Sequence, residues 1–320
     1  MRFLKRLGSI LFWRYHRLRA SWPVWYYLLN RASRARWRVI RPVLGERERK
    51  IASALERDGI AVTSVADFFP QGFFAELAGE AEARLRRVAG RADEGRPGET
   101  RSGLRPGLFG ADTKKYRKDF LVNLWGEGET SPLDTANPFM RLAIAERTLT
   151  AIGGYFAFCP TFYYFSLLQT ALVPPGAPAE YSQRWHRDPE DRKMVKVFLY
   201  LTDVEESGAG PFTYVKGSPG GGRFGHLFPQ HPPVGSYPPP GALERTVPPD
   251  AILTCFGKAG TLIFCDTTGL HRGGYSTTKE RIMFTAGYIS RASPHPIRYV
   301  RPDPVSFAAL SALARYAISQ

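Results

Sequence analysis

The sequence predicts a mainly β chain with flanking α-helices, of the sandwich or jelly-roll kind, on three observations. Beyond about residue 160, short runs rich in β-branched and aromatic residues recur at 162–173, 194–204, 211–216, 251–256, 261–266 and 281–289. Glycine and proline punctuate the intervals between them, as the turns of a sandwich or jelly roll require. The chain is 320 residues long, 43% hydrophobic and 13% aromatic, which is ample for one large core.

From the N-terminus, residues 1–45 read as a basic amphipathic extension. Phe3, Leu4, Leu7, Ile10, Leu11, Tyr15 and Leu18 share one helical face, while Arg2, Lys5, Arg6, Arg17 and Arg19 occupy the rest and Arg14 lies at the edge. Residues 1–50 hold 14 basic residues against Glu46 and Glu48, so +12 of the formal charge of +15 is there. The rest of the chain is close to neutral, which removes the reason to expect a specific nucleic-acid partner. Beside a targeting peptide or a partner-binding arm, two readings of the extension stay open. Residues 1–40, with Trp13, Trp22 and Trp25, suit peripheral contact with an anionic membrane. Alternatively the apolar stripe packs on the body and the charges are solvated. No apolar run reaches the roughly 18 residues that a membrane span needs. Cys159, Cys255 and Cys265 are odd in number and widely spaced, suggesting neither disulfides nor a zinc knuckle. A cytoplasmic location, with peripheral membrane association as an option, follows as the expectation.

Residues 46–57 predict a helix that stops at Asp58-Gly59, followed by a β-type run at 60–63. A second helix is expected at 73–88, with acids early and arginines late. Residues 91–118 read as a surface loop. The segment 217–250 carries 9 Pro and 7 Gly in 34 residues and is expected to be irregular and near the mouth of a site. The organisation is thus an extension at 1–45, a catalytic domain at 46–300 and a helical tail at 301–320.

The chemistry lies in three places. His186 and Asp188 stand two apart, so on extended backbone both project to the same side. The run 260–266 opens into a turn that presents His271 beside glycines. Two imidazoles and one carboxylate on one face of a metal leave further coordination positions open, the arrangement of non-haem iron(II) oxygenases. Arg281 heads an apolar strand and needs an anion there; its planar fork suits the distal carboxylate of a dicarboxylate such as 2-oxoglutarate. The aromatic run 162–165 reads as core; Arg187 and Arg223 could meet an anionic substrate but read as solvated.

Over about residues 48–290 this pattern resembles the phytanoyl-CoA dioxygenase family of double-stranded β-helix oxygenases. The resemblance is carried by Asp58-Gly59-Ile60, Gln169, His186 and Asp188, Lys216-Gly217-Ser218, His271 and Arg281. It implies iron(II) held by His186, Asp188 and His271, 2-oxoglutarate held by Arg281 with a contact from Gln169, and O2 as oxidant. The implied reaction hydroxylates a small-molecule or lipid-like substrate and releases succinate and CO2. Where many relatives have a lysine ahead of the metal motif, this chain has Val173-Pro174-Pro175. Asp188 argues against halogenation, since halogenating relatives replace that carboxylate. Residues 281–287 lack the arginine and asparagine pattern of nucleobase-repair relatives. The alternative from another class is a non-catalytic jelly-roll binding protein that works at a membrane surface through its basic arm.

Overall fold

A computed structural model describes residues 2–93, 121–125, 133–174, 176–301 and 309–319. The loop reading at 94–118 lies outside the described residues. The first helices are α1 (Arg2–Arg19), α2 (Arg31–Ile40) and α3 (Glu46–Asp58), with a π-helical stretch Pro23–Leu29 between α1 and α2. The Asp58-Gly59 stop forms as expected: Gly59 takes a left-handed φ of 78° and its N–H closes on Leu55. A Cβ there would meet the Tyr214 hydroxyl at 2.4 Å, so glycine also allows close approach.

Next come β1 (Ile60–Ser64), α4 (Val65–Phe68), α5 (Phe73–Asp93), β2 (Leu121–Asn123), α6 (Pro138–Ile144) and α7 (Glu146–Phe156). The β-rich part follows as β3 (Thr161–Thr170), β4 (Val195–Tyr200), β5 (Phe212–Val215), α8 (Ala242–Thr246), β6 (Ile252–Cys255), β7 (Thr261–Asp266), β8 (His271–Arg272) and β9 (Arg281–Ile289); α9 (Ala312–Ile318) lies beyond it. Six strands make one sheet in the order β1-β7-β4-β9-β3-β2, and β6-β5-β8 make a second, all paired antiparallel. The fold is a two-sheet jelly roll with helices packed outside the larger sheet.

Alternation along the strands decides which side chains meet. Val195, Val197 and Leu199 of β4, with Phe284, Ala286 and Tyr288 of β9, join the core beneath the helices. Phe198 and Tyr200 turn the other way and meet Phe212 and Tyr214 between the two sheets. The segment 217–250 is largely irregular, relieved by α8 and a 3-10 turn. Trp25 and Trp37 are sunk into the helix-side core. The indole of Trp25 donates to Asp191 at 2.7 Å, and Asp191 also accepts from Ser290 at the end of β9.

The described part of the helical face read from the sequence points outward in α1. Ile10, Leu11, Tyr15 and Leu18 are exposed, whereas Phe12, His16, Arg19 and Ala20 are half-buried, with Arg19 donating to the Ala292 carbonyl. Among the described residues no helix is long and apolar enough to cross a membrane.

Candidate metal centre

The chain brings His186, Asp188 and His271 together by pairing backbone. The His186 N–H donates to the His271 carbonyl at 2.9 Å and the His271 N–H donates back at 3.0 Å. Two residues along, the Asp188 N–H donates to Thr267 at 2.9 Å. The extended segment 186–188 is therefore clamped against 267–271, and the two-residue period aims His186 and Asp188 to the same side.

The side-chain donors converge. His186 Nε2 lies 3.8 Å and His271 Nε2 3.6 Å from the Asp188 carboxylate, and one donor atom from each residue fits within 4.8 Å of the others. All three residues are buried. Each imidazole places Nδ1 against a backbone carbonyl, Arg184 at 2.8 Å and Gly269 at 2.9 Å. A carbonyl only accepts, so Nδ1 carries the proton and the Nε2 lone pair faces the centre, as a metal ligand requires. Burial, reinforced by His186, pushes His271 down to about 3, which keeps that ring neutral.

Three further residues complete the electrostatics. Lys196 on β4 sets its ammonium 2.6 Å from the Asp188 carboxylate. Burial alone would raise the Asp188 carboxyl, but Lys196 and the two imidazoles override it and hold it well below the usual carboxylate range. Glu190 is buried as well, and burial followed by the Asp188 charge pushes it up to about 7. Tyr164 shares this side: a Cβ on Gly287 of β9 would lie 2.4 Å from its ring, and Lys196 stands 5.8 Å from the ring centre. At the rim the Tyr237 ring stacks 5.6 Å from His186, so the irregular segment 217–250 does reach the site.

Arg281 sits on the same inner face of β9, opposite Thr170 of β3. It is 4% exposed, donates to the Gly210 carbonyl and to Thr170 Oγ1, and its Nε has no partner. Among the described residues no carboxylate pairs with it. Gln169 is one residue out of phase, on the opposite face, where its amide donates to Glu280 at 2.5 Å. The structure thus brings His186, Asp188 and His271 together, places Arg281 beside Thr170 on the inner face, and sets Gln169 on the opposite face.

Sequence reading missed Lys196, Glu190, Tyr164, Tyr237 and Thr170. Lys196 had a usable signal: a lone cation in the apolar run 194–200 needs a partner by the same reasoning that singled out Arg281. Arg187 departs from the solvated reading. It is 2% exposed and donates to the carbonyls of Ser218, Thr268, Phe224 and Leu227.

No family model matches the chain, and no curated protein matches it. Solved structures do. AviO1 from Streptomyces viridochromogenes Tue57 is 17% identical with a TM-score of 0.50, over 80% of this chain and 99% of that one. The non-heme alpha ketoglutarate dependent epimerase SnoN from nogalamycin biosynthesis is 19% identical with a TM-score of 0.48, over 76% of this chain and 81% of that one. HygX from Streptomyces hygroscopicus, solved with nickel and 2-oxoglutarate bound, is 17% identical with a TM-score of 0.44, over 77% and 87%. At such identities the likeness is one of fold, and it is the fold of AviO1 that this chain shares.

Proposed function

We propose that the chain is an iron(II)- and 2-oxoglutarate-dependent dioxygenase that hydroxylates a small-molecule or lipid-like substrate, releasing succinate and CO2. The observation that carries this reading is the convergence of two Nε2 lone pairs and the Asp188 carboxylate, with a buried guanidinium lacking an anion on the same inner face. His186, Asp188 and His271 would hold the iron, and Asp188 occupies the position that a halide would need. Iron bound there supplies activation of O2 coupled to decarboxylation of 2-oxoglutarate. Arg281 and Thr170 would hold the distal carboxylate, the guanidinium by charge and the hydroxyl by orienting it. The Nδ1 bonds to Arg184 and Gly269 fix both ring orientations, and Lys196 holds the Asp188 carboxylate. Gln169 has no part in this proposal.

The test is anaerobic titration of the full chain with iron(II) and then 2-oxoglutarate, watched for the weak visible charge-transfer band of an iron-bound 2-oxo acid. We expect the band in the native chain and its loss in His271→Ala. Arg281→Gln should still bind iron but need about ten- to a hundredfold more 2-oxoglutarate, the equivalent of one charge-assisted bond. A folded protein without the band, or a band that survives His271→Ala, rules the assignment out.

We infer a second contact, with an anionic membrane surface, from the outward-facing Ile10, Leu11, Tyr15 and Leu18 of α1 and the exposed Arg14 and Arg17 beside them. Exposed Trp13, Trp22, Tyr27 and Leu28 extend that surface along the chain. Flotation with phosphatidylglycerol vesicles should recover the native chain and lose the Leu11→Glu/Leu18→Glu variant, while phosphatidylcholine vesicles recover neither. Equal recovery of both chains would mean that the stripe is not the contact.

A further inference from the structure

A cavity of about 730 Å³ lies between the inner side of α1 and the body, behind the metal motif. His186 and Asp188 face the metal centre, so the intervening Arg187 projects the other way, and it is this side chain that reaches the cavity. Around the wall stand His16 and Arg17 of α1, Trp22, and Arg192 and Lys193 from the segment leading into β4.

The balance of charge in the wall is one-sided. The lining acid is Asp266, and it is already engaged: one oxygen accepts from the Tyr155 hydroxyl at 2.6 Å and the other from Thr268 N and Oγ1 at 2.9 and 2.7 Å. Lys193 faces Glu56 at 3.6 Å, an acid whose side chain is 72% exposed, and Arg192 donates to the Ala20 carbonyl. Both cations also stand near the Trp22 ring, at 5.9 and 5.6 Å. Arg187 is the most demanding of them. Its guanidinium is buried, its four acceptors are neutral carbonyls, and its Nε has no partner.

The far wall is glycine-rich. A Cβ on Gly220 would meet nothing within 4 Å, whereas one on Gly225 would strike the Pro219 carbonyl at 2.5 Å. Gly220 therefore leaves that side of the cavity open. The volume falls within the range of small-molecule sites, and Trp13 and Trp22 offer apolar surface beyond the cations.

We propose that this cavity is a second binding site, separate from the metal centre, for a phosphate monoester whose phosphate meets Arg187, Arg192 and Arg17 and whose body lies against Trp22. Such a group is carried both by soluble metabolites and by the headgroup of phosphatidic acid. Trp13 and Trp22 provide the readout. The full chain is titrated with inorganic phosphate at constant ionic strength, against chloride, and separately with phosphatidic acid vesicles, against phosphatidylserine vesicles. The same titrations are run on Arg17→Gln, a largely exposed position, and on Arg192→Gln. A saturable change in tryptophan fluorescence with phosphate, weakened about tenfold or more in either variant, supports a soluble ester. A response to phosphatidic acid vesicles larger than that to phosphatidylserine vesicles, with only the excess weakened in the variants, supports the headgroup. Chloride acting as well as phosphate, no response to phosphate together with equal responses to the two kinds of vesicle, or equal affinity in native and variant chains overturns the proposal.

Discussion

Lys196 and Asp188 form an ion pair whose two side chains are 14% and 10% exposed, with the Glu190 carboxyl buried close by. The ammonium is what allows one acid to stay ionised among apolar surroundings while Glu190 is pushed upward. Lys196→Met keeps the volume and removes the charge, leaving Asp188 without its cation. Breaking a buried pair on one side costs about 3–5 kcal/mol, so the metal-free variant should melt well below the native chain. A divalent ion would resupply the missing charge, so added iron(II) should raise the melting temperature of Lys196→Met more than that of the native chain. An equal shift in both proteins would mean that Lys196 does not govern the charge at Asp188. The residue-level reading of the sequence reached both imidazoles, the carboxylate and Arg281, because each carries its chemistry in its type and spacing. It missed the supporting tyrosines because their role depends on what the fold sets opposite them, and it passed over Lys196 although a cation in the apolar run 194–200 calls for a partner.

At the scale of elements, Gly287 shows how a strand is tailored to a neighbour. It lies on the inner face of β9, and an added Cβ would come within 2.4 Å of Tyr164 and 3.4 Å of Met194. Gly287→Ala should therefore destabilise by about 1–3 kcal/mol, the usual range for overpacking, and should displace Tyr164 from beside Lys196. Denaturant melts together with the iron(II) titration check this; a variant as stable as the native chain would mean that the ring moves aside freely. The six β-rich runs read from the sequence all contain strands of the structure, because a half-buried strand writes its burial as alternation. Helices α6 and α7 left no such trace. Phe139, Met140, Leu142, Ala143 and Ile144 of α6 are all buried, as are most residues of α7, so neither shows the polar stripe from which a period is read. The two-residue β8 and three-residue β2 are too short for any period to register.

Over the whole molecule, the basic arm keeps its charge on the surface while Trp25 and Trp37 are committed to the common core. The sequence reading located that charge but was wrong to set Trp25 with Trp13 and Trp22 at a membrane, since an indole in a basic stretch looks the same whether it meets a bilayer or a buried aspartate. Topology adds a constraint of another kind. β1 lies at the sheet edge and its Ile60 pairs with Cys265, about two hundred residues onward, while the Trp25 indole waits for Asp191 and Asp191 for Ser290. Closing such loops carries an entropic cost before any contact repays it, and β pairing over that separation is slow. During vectorial synthesis on the ribosome, β1 and the arm emerge well before their partners exist. Until β7 and β9 have followed, that early segment presents an unpaired strand edge and bare tryptophans to the surrounding solution, which makes it the stretch a nascent-chain chaperone has most reason to hold.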